Sequence, residues 1–168
     1  TYNNVFRNAA VDLQDVGRVR VGPGEKQNTV QVGDILLTSS SENLDEVAMS
    51  SVVTERPSES TYLNSFTIGF RPDPTFGLEP AYAKHLLRSN TMRRQLTRTA
   101  SGVTRFNVSR SRLANVRVPI PSRDRQLEVA SVLDNLYELS TDLSSGLPAE
   151  ISARRKQYEY YRDRLLTF

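Results

Sequence analysis

The segment TRFNVSRSR holds the side chains whose types and spacing best support chemistry. Within eight residues it brings together, around Phe106, the residues Arg105, Asn107, Arg110 and Arg112. Guanidinium groups donate to phosphate oxygens and to guanine, and the asparagine amide pairs with adenine. The segment therefore predicts contact with nucleic acid, mostly through phosphate. The alternative is a solvated loop whose Phe106 fills a core.

The formal charge of the chain is unevenly distributed. Residues 84–125 contain eleven Lys and Arg against one acid, whereas the segments on either side are net acidic. A concentrated basic block is typical of a protein that binds a polyanion, and a solvated basic face is the alternative. The block adds Arg94 and Arg98 to the predicted DNA-binding residues. Two polar segments outside it, LTSSSENLDE and YLNSFTIGF, add Ser40 and Asn64.

Residues that would indicate catalysis or metal binding are sparse. The chain has one histidine, His85, and no cysteine, which excludes disulfides and thiolate metal sites. The sequence contains no P-loop, no Gly-rich dinucleotide motif and no G-x-S-x-G elbow. We therefore predict a non-catalytic chain that holds no cofactor or metal, with His85 on the surface of a helix or half-buried. No apolar run approaches the roughly 18 residues of a membrane span.

The elements that must position these side chains are short. Residues 1–72 are interpreted as strands and loops, with strands in VQVGDILLTSSS, which contains an apolar run, and in VAMSSVVTE and YLNSFTIGF, which are rich in β-branched and aromatic types. Pro80 suits the first turn of a helix, and Ser89 and Asn90 mark the point at which that helix could divide in two. The segment GVTRFNVSRSRLANV is interpreted as a loop or short turn, and VRVPIP as a strand that ends at its prolines.

The apolar pattern changes at Ser122. Steps of three and four residues predict helices with a coiled-coil seam, narrower than the face of a core helix. A break containing Gly and Pro, near 144–148, separates two helices. We predict a compact α/β head, residues 1–121, with its own core, and a helical stalk, residues 122–168. The seam residues are Val129, Val132, Leu136, Leu139, Leu143, Ile151, Arg154, Tyr158, Tyr161, Leu165 and Phe168.

Taken together, these segments resemble those of a known family. GDILLTSSSE, VAMSSVV, YLNSFTIGFRP, HLLRS, GVTRFNVSRSRL and VRVPIPSRDRQLEVASVLDNL occur in the order seen in target recognition domains of type I restriction-modification specificity subunits. The tail GLPAEISARRKQYEYYRDRLLTF is similar to the helical region that follows such a domain. The resemblance implies an α/β (α+β) target recognition domain with a C-terminal coiled-coil stalk. From the resemblance we expect such a domain to open with a strand and a Gly-rich turn, and we therefore expect that part of the domain to be missing before Thr1.

The resemblance also implies a function, the recognition of one half of a bipartite double-stranded DNA target in the cytoplasm. The stalk would dock methyltransferase subunits and, through them, the restriction subunit, and those partners would use S-adenosylmethionine, ATP and magnesium. An isolated half-subunit would pair its stalk with a second copy, antiparallel. The alternatives are a coiled-coil scaffold that does not read DNA and a module for single-stranded nucleic acid or RNA. The expected docking residues are Leu136, Leu139, Leu143, Tyr158, Tyr161, Leu165 and Phe168.

Overall fold

The computed structural model describes residues 1–141 and 148–167. They form a mixed α/β structure whose α-helices and strands, in chain order, are α1 (Tyr2–Arg7), β1 (Ile35–Thr38), β2 (Ser40–Ser41), β3 (Ser50–Val52), β4 (Thr67–Phe70), α2 (Pro80–Leu86), α3 (Asn90–Thr97), β5 (Ala100–Ser101), β6 (Phe106–Val108), α4 (Arg110–Leu113), α5 (Arg123–Thr141) and α6 (Pro148–Leu165). A 3-10 helix, Pro74–Phe76, precedes α2. Among these helices none combines the length and the apolarity needed to cross a membrane.

Two three-stranded antiparallel sheets form the β part of the head. In the first, β1 lies between β3 and β4, and Leu36 stands opposite Ser51 and Gly69. In the second, β6 lies between β2 and β5. Only Ser39 separates β1 from β2, so the chain passes directly from the first sheet into the second. The small second sheet is therefore positioned by the larger one.

The secondary structure confirms most of the local predictions. Strands form at β1, β3 and β4, and the helix that begins at Pro80 divides into α2 and α3, with Ser89 as the N-cap of α3. Three local predictions are wrong. A helix, α1, lies where only strands and loops were expected, and the segment interpreted as a loop contains β6 and α4. Residues 116–121 are not a strand, because the backbone of Arg117 bonds to the side chain of Gln95 instead of to a neighbouring strand.

One hydrophobic core serves both the head and the C-terminal helices. It contains Ile35 of β1 and Tyr82 of α2 together with Leu133 of α5 and Leu166, which follows α6. The prediction that the head's core lies within residues 1–121 is therefore wrong. Helix α5 packs on α2, and α6 packs on α5. The division of the chain into a recognition domain and a helical region stays a prediction, but the two parts share their apolar interior.

The buried face of α5 differs from the predicted seam. Val129 is buried as expected, but Val132 and Leu139 are exposed, and Ala130 and Leu133 are buried in their place. A helix that packs against two neighbours buries a wider stripe than the two rows of a coiled-coil seam. Within the described residues, α5 is thus a core helix. Pro148 begins α6 as expected, while Leu143, Phe168 and the break up to residue 147 lie outside the described residues.

His85, expected on the surface or half-buried, is buried where α2, α5 and α6 meet, and only 2% of it is exposed. Its Nε2 lies 2.7 Å from Asp134 Oδ1, and its Nδ1 lies 2.8 Å from the Tyr158 hydroxyl. Burial lowers the pKa of His85 and raises the pKa of Tyr158 to about 12. Burial also opposes the charge of Asp134, but hydrogen bonds from His85 and Lys84 outweigh it and hold the pKa of that carboxyl below its ordinary value. A neutral imidazole that donates to Asp134 and accepts from Tyr158 therefore ties both C-terminal helices to α2.

A second polar contact joins α6 to the head. The Asp163 carboxylate accepts hydrogen bonds from the Asn90 backbone N–H at 2.8 Å and from Asn90 Nδ2 at 2.6 Å. Asn90 is the first residue of α3. The first N–H groups of a helix lack partners within the helix, and a negative charge there is favourable. Asp163 thus stabilises the start of α3 and fixes the end of α6 against it.

Candidate nucleic-acid interface

The basic block of residues 84–125 divides into an internal part and an exposed part. Arg88 is internal, and its Nε, Nη1 and Nη2 donate, at 2.8 to 3.2 Å, to the carbonyl oxygens of Val5, Phe6, Arg7, Asn8 and Ser50. Four of these carbonyl groups belong to the C-terminal end of α1. The last carbonyl oxygens of a helix have no N–H partner within the helix. Burial lowers the pKa of Arg88 to about 10, so the group stays charged at neutral pH.

Arg93 holds the loop that follows β2 in a similar way. Its Nη atoms donate to the carbonyl oxygens of Asp45, Val47 and Ala48. Ala48 has a φ of 54°, in the left-handed region that costs energy for a residue with a Cβ. The hydrogen bonds from Arg93 stabilise that turn, and burial lowers the pKa of Arg93. Arg88 and Arg93 therefore stabilise the fold, because their guanidinium groups donate to backbone carbonyl oxygens of the same chain.

The rest of the block separates into paired and unpaired side chains. The paired ones form the ion pairs Lys84–Asp134, Arg123–Glu79 and Arg125–Glu128. The others are exposed and have no ion pair within the part of the chain that the structure describes. They are Arg94, Arg98, Arg105, Arg110, Arg112 and Arg117. Five of these six are the arginines predicted to bind DNA. The sixth, Arg117, lies in the segment that was wrongly predicted to be a strand and is not among the predicted DNA-binding residues.

The unpaired arginines lie along adjoining elements. Arg94 and Arg98 are four residues apart, which places them on one face of α3 and its C-cap. Helix α4, which carries Arg110 and Arg112, is tied at its N-cap to the residue after Arg98 by a backbone hydrogen bond of 3.0 Å. Between these helices the β5–β6 hairpin carries Arg105. The predicted DNA-binding arginines therefore lie on elements that follow one another along the chain, and the backbone hydrogen bond from Ser109 to Thr99 joins the end of α3 to the start of α4.

The strand pair β2–β6 places two further predicted residues side by side. Ser40 stands opposite Asn107, and Ser101 of β5 stands on the other side of Asn107. Directly opposed residues of neighbouring strands project from the same face of a sheet. The segment LTSSSENLDE and the basic block thus pair through Ser40 and Asn107, although they are far apart in the sequence.

The β5–β6 hairpin ends in a tip that is basic and apolar. Gly102 has a φ of 150°, and a Cβ on it would lie 1.9 Å from the carbonyl oxygen of Arg105, so the tip closes only with glycine there. Val103 is 93% exposed, and Arg105 is exposed as well. The tight tip holds both side chains out into solvent beside the strand that carries Asn107.

Asn64, the remaining residue predicted to bind DNA, shapes its own turn. Its Oδ1 accepts hydrogen bonds from the Phe66 N–H at 2.8 Å and from the Thr67 hydroxyl at 3.3 Å. The Phe66 carbonyl in turn accepts from the N–H and the hydroxyl group of Ser39. The side-chain oxygen of Asn64 is therefore engaged, and its NH₂ group is the part left for a ligand.

The predicted docking residues differ in exposure. Tyr158 is buried by this chain itself, so in this conformation it offers little surface to a partner, and its role in docking stays a prediction. Leu136 and Leu165 are partly buried against the core. Leu139 and Tyr161 are exposed, by 57% and 40%. Of the predicted docking residues that the structure describes, these two keep the most apolar surface for a partner.

The described site combines exposed arginines with small polar side chains on paired strands, which suits the binding of a polyanion. Among the described residues no three His, Asp or Glu side chains are grouped so that they could hold a metal ion. Over residues 5–153 the chain matches the family of type I restriction modification DNA specificity domains, and it belongs to that family. Membership confirms the resemblance seen in the sequence, and it confirms a recognition role in place of catalysis.

Curated relatives agree with the family assignment. The chain is 33% identical over 89 residues to the specificity subunit of an Escherichia coli type I restriction enzyme, covering 52% of this chain and 22% of that protein. It is 47% identical over 51 residues to the C-terminal part of a putative type I specificity subunit of Mycoplasma pneumoniae, covering 30% and 35%. It is 39% identical over 69 residues to a putative specificity subunit of Haemophilus influenzae, covering 41% and 18%. The chain thus spans a minor part of the length of the relatives that it matches.

Proposed function

We propose that this chain recognises one half of a bipartite double-stranded DNA target, as part of the specificity subunit of a type I restriction-modification complex. The observation that carries the proposal is the set of six exposed arginines, without acidic partners in the described residues, on α3, α4 and the segments next to them, together with the facing polar residues Ser40 and Asn107. The phosphates of a duplex complement a surface of this charge. The family assignment supports the same ligand.

Two kinds of contact divide the work of recognition. The arginines of α3, the hairpin and α4 bind phosphates and set the position of the domain on the duplex. Ser40 and Asn107 carry small polar groups that suit the edges of bases. Phosphate contacts supply affinity but no direct sequence information, so discrimination between targets depends on the second group.

Replacing Arg105 and Arg110 together by alanine is expected to flatten the dependence of log Kobs on log salt by about two units, because each lost phosphate contact removes about one. Binding should weaken to a similar extent on every duplex sequence. Fluorescence anisotropy of labelled duplexes across a salt series measures both effects. Arg125→Ala is the matched control, since Arg125 is paired with Glu128 at 2.8 Å, and it should leave the slope unchanged.

Wild-type affinity in the double variant, or a loss confined to one sequence, would contradict the phosphate role. The same titration separates the alternatives for the whole chain. A scaffold that does not read DNA would show no salt-dependent binding to duplexes. A module for single-stranded nucleic acid or RNA would prefer the unpaired strand to the duplex.

We further propose that α5 and α6 dock other subunits through apolar side chains that this chain leaves uncovered. Leu139 and Tyr161 are the predicted docking residues on that surface, which also includes Val132 and Tyr160. The proposed partner is the methyltransferase subunit, through which the restriction subunit joins, and S-adenosylmethionine, ATP and magnesium would act in those partners. In a half-subunit, the same helices would also pair with a second copy as an antiparallel coiled coil around a two-fold axis. Two heads would then face the two half-sites.

Leu139→Ala combined with Tyr161→Ala is expected to abolish co-purification of the methyltransferase subunit. Both side chains are exposed, so the thermal midpoint of the chain alone should move by no more than about 4 °C. Phe76→Ala removes an aromatic side chain of similar exposure outside the two helices and is the matched control. Capture of the methyltransferase subunit at wild-type levels by the double variant would show that docking depends on other residues.

A further inference from the structure

Phe66 is a large apolar side chain held in solvent beside the proposed DNA surface. It is 62% exposed and lies on the turn that leads into β4. Single exposed apolar side chains are common and do not by themselves indicate a binding site. Phe66 is different because hydrogen bonds on both sides fix the turn that carries it.

The backbone of Phe66 is engaged at its N–H and at its carbonyl group. Asn64 Oδ1 accepts from the Phe66 N–H at 2.8 Å, and the Asn64 carbonyl accepts from the Thr67 hydroxyl at 3.0 Å. The Phe66 carbonyl accepts from the Ser39 N–H at 3.0 Å and from the Ser39 hydroxyl at 2.9 Å. These bonds fix the direction in which the aromatic ring leaves the surface, so its exposure is built into the fold.

The turn belongs to the same hydrogen-bonded unit as the predicted base-reading residues. Ser39, which holds Phe66, accepts a hydrogen bond at 2.9 Å from the N–H of Val108 in β6. The next residue, Ser40, stands opposite Asn107. Phe66 therefore has a fixed position relative to Ser40 and Asn107.

The surroundings of this unit favour DNA over an apolar protein as the partner of Phe66. Arg105 precedes β6 and Arg110 follows it, and both are exposed and unpaired within the described residues. Base pairs offer apolar groups inside a frame of phosphates. These groups are the thymine methyl in the major groove and the base faces at a step that the protein pries apart. An exposed aromatic ring, fixed to a unit whose strand β6 has an exposed arginine before it and after it, matches that arrangement.

We propose that Phe66 enters a groove of the duplex and makes an apolar contact with a base, so that it is a specificity-determining residue. The inference rests on the proposed DNA-binding function and adds to it a base contact that hydrogen-bonding side chains do not provide. It also gives a role to Asn64, which positions Phe66 by accepting from its N–H group.

The test uses the full chain and a duplex selected by it from a randomised pool. Phe66→Ala is expected to weaken binding to the selected duplex about tenfold, which is the effect of losing one base contact. Binding to a random duplex and the salt slope should not change, because no phosphate contact is lost. Phe66→Leu keeps an apolar side chain and should recover part of the affinity. Phe76, 63% exposed on the 3-10 helix, supplies the matched control Phe76→Ala, which should bind as the wild type does.

Two further arms identify the apolar group that Phe66 contacts. Uracil is placed in turn at each thymine of the selected duplex. If replacing a thymine by uracil weakens binding of the wild type but not binding of Phe66→Ala, Phe66 contacts the methyl group of that thymine. A duplex bend that the wild type induces and Phe66→Ala does not induce supports insertion at a base step.

Equal losses on the selected and the random duplex, or no loss on either, overturn the inference and leave duplex binding by the arginines standing. A wild-type chain that binds no duplex overturns the proposed function and the inference with it. Thermal unfolding of each variant is measured alongside. Because the Phe66 ring is exposed, a midpoint within about 4 °C of the wild type is expected and excludes unfolding as the cause of lost affinity.

Discussion

Replacing Arg88 by methionine is expected to lower the free energy of unfolding by about 3–5 kcal/mol, near the upper limit for single substitutions. Methionine fills much of the same space, so little packing is lost. The change leaves five backbone carbonyl oxygens, four of them at the end of α1, without the donor that they have now. An unsatisfied buried acceptor costs about 1–3 kcal/mol, and the costs here do not add fully, because four of the five bonds are partly buried and the bond to Arg7 is exposed. Denaturant titration followed by circular dichroism measures the effect.

Arg94→Met is the matched control for Arg88→Met. It removes the same charge, but Arg94 is exposed and has no ion pair among the described residues, so its expected effect is within about 0.5 kcal/mol. A general effect of net charge on stability would appear in both variants. If Arg88→Met unfolds within about 1 kcal/mol of the wild type, α1 is held by apolar contacts and not by the guanidinium group.

Leu133→Ala is expected to destabilise the whole chain by about 2–5 kcal/mol, the cost of deleting a fully buried leucine side chain and leaving a cavity. Leu133 is completely inaccessible to solvent and lies in the core shared by β1, α2 and the C-terminal helices. Because that core is continuous, the helices and the head should unfold in one transition. Amide hydrogen exchange, followed separately for peptides of the head and peptides of the C-terminal helices across a denaturant titration, should report the same midpoint for both.

Leu139→Ala, on the same helix, makes the same chemical change at an exposed position. It should cost less than about 1 kcal/mol, since it creates no cavity. Two separate transitions in Leu133→Ala, with the helices melting before the head, would contradict a shared core. They would support the boundary at residue 121 that the sequence pattern predicts.

The sequence by itself determined the features that depend on neighbouring residues. Pro80, Ser89 and Pro148 mark helix starts through backbone geometry and capping, which act within a turn of the chain. Apolar runs and enrichment in β-branched and aromatic residues are likewise local signals, and they located β1, β3 and β4. The basic block and the ordered motifs are likewise visible in the sequence, and the family assignment confirms the resemblance that the motifs indicated.

Only the tertiary structure decided what each side chain does, because that depends on partners far away in the chain. Arg88 and Arg94 belong to the same basic block, yet Arg88 is internal because the carbonyl oxygens at the end of α1 surround it. His85 is buried because two distant helices bring Asp134 and Tyr158 to its two nitrogens. The helical spacing of apolar residues in α5 is visible in the sequence. Which face of α5 is buried depends on its packing against both α2 and α6. The same long-range pairing placed the Phe66 turn against β2, where no pattern within its own segment could have located it.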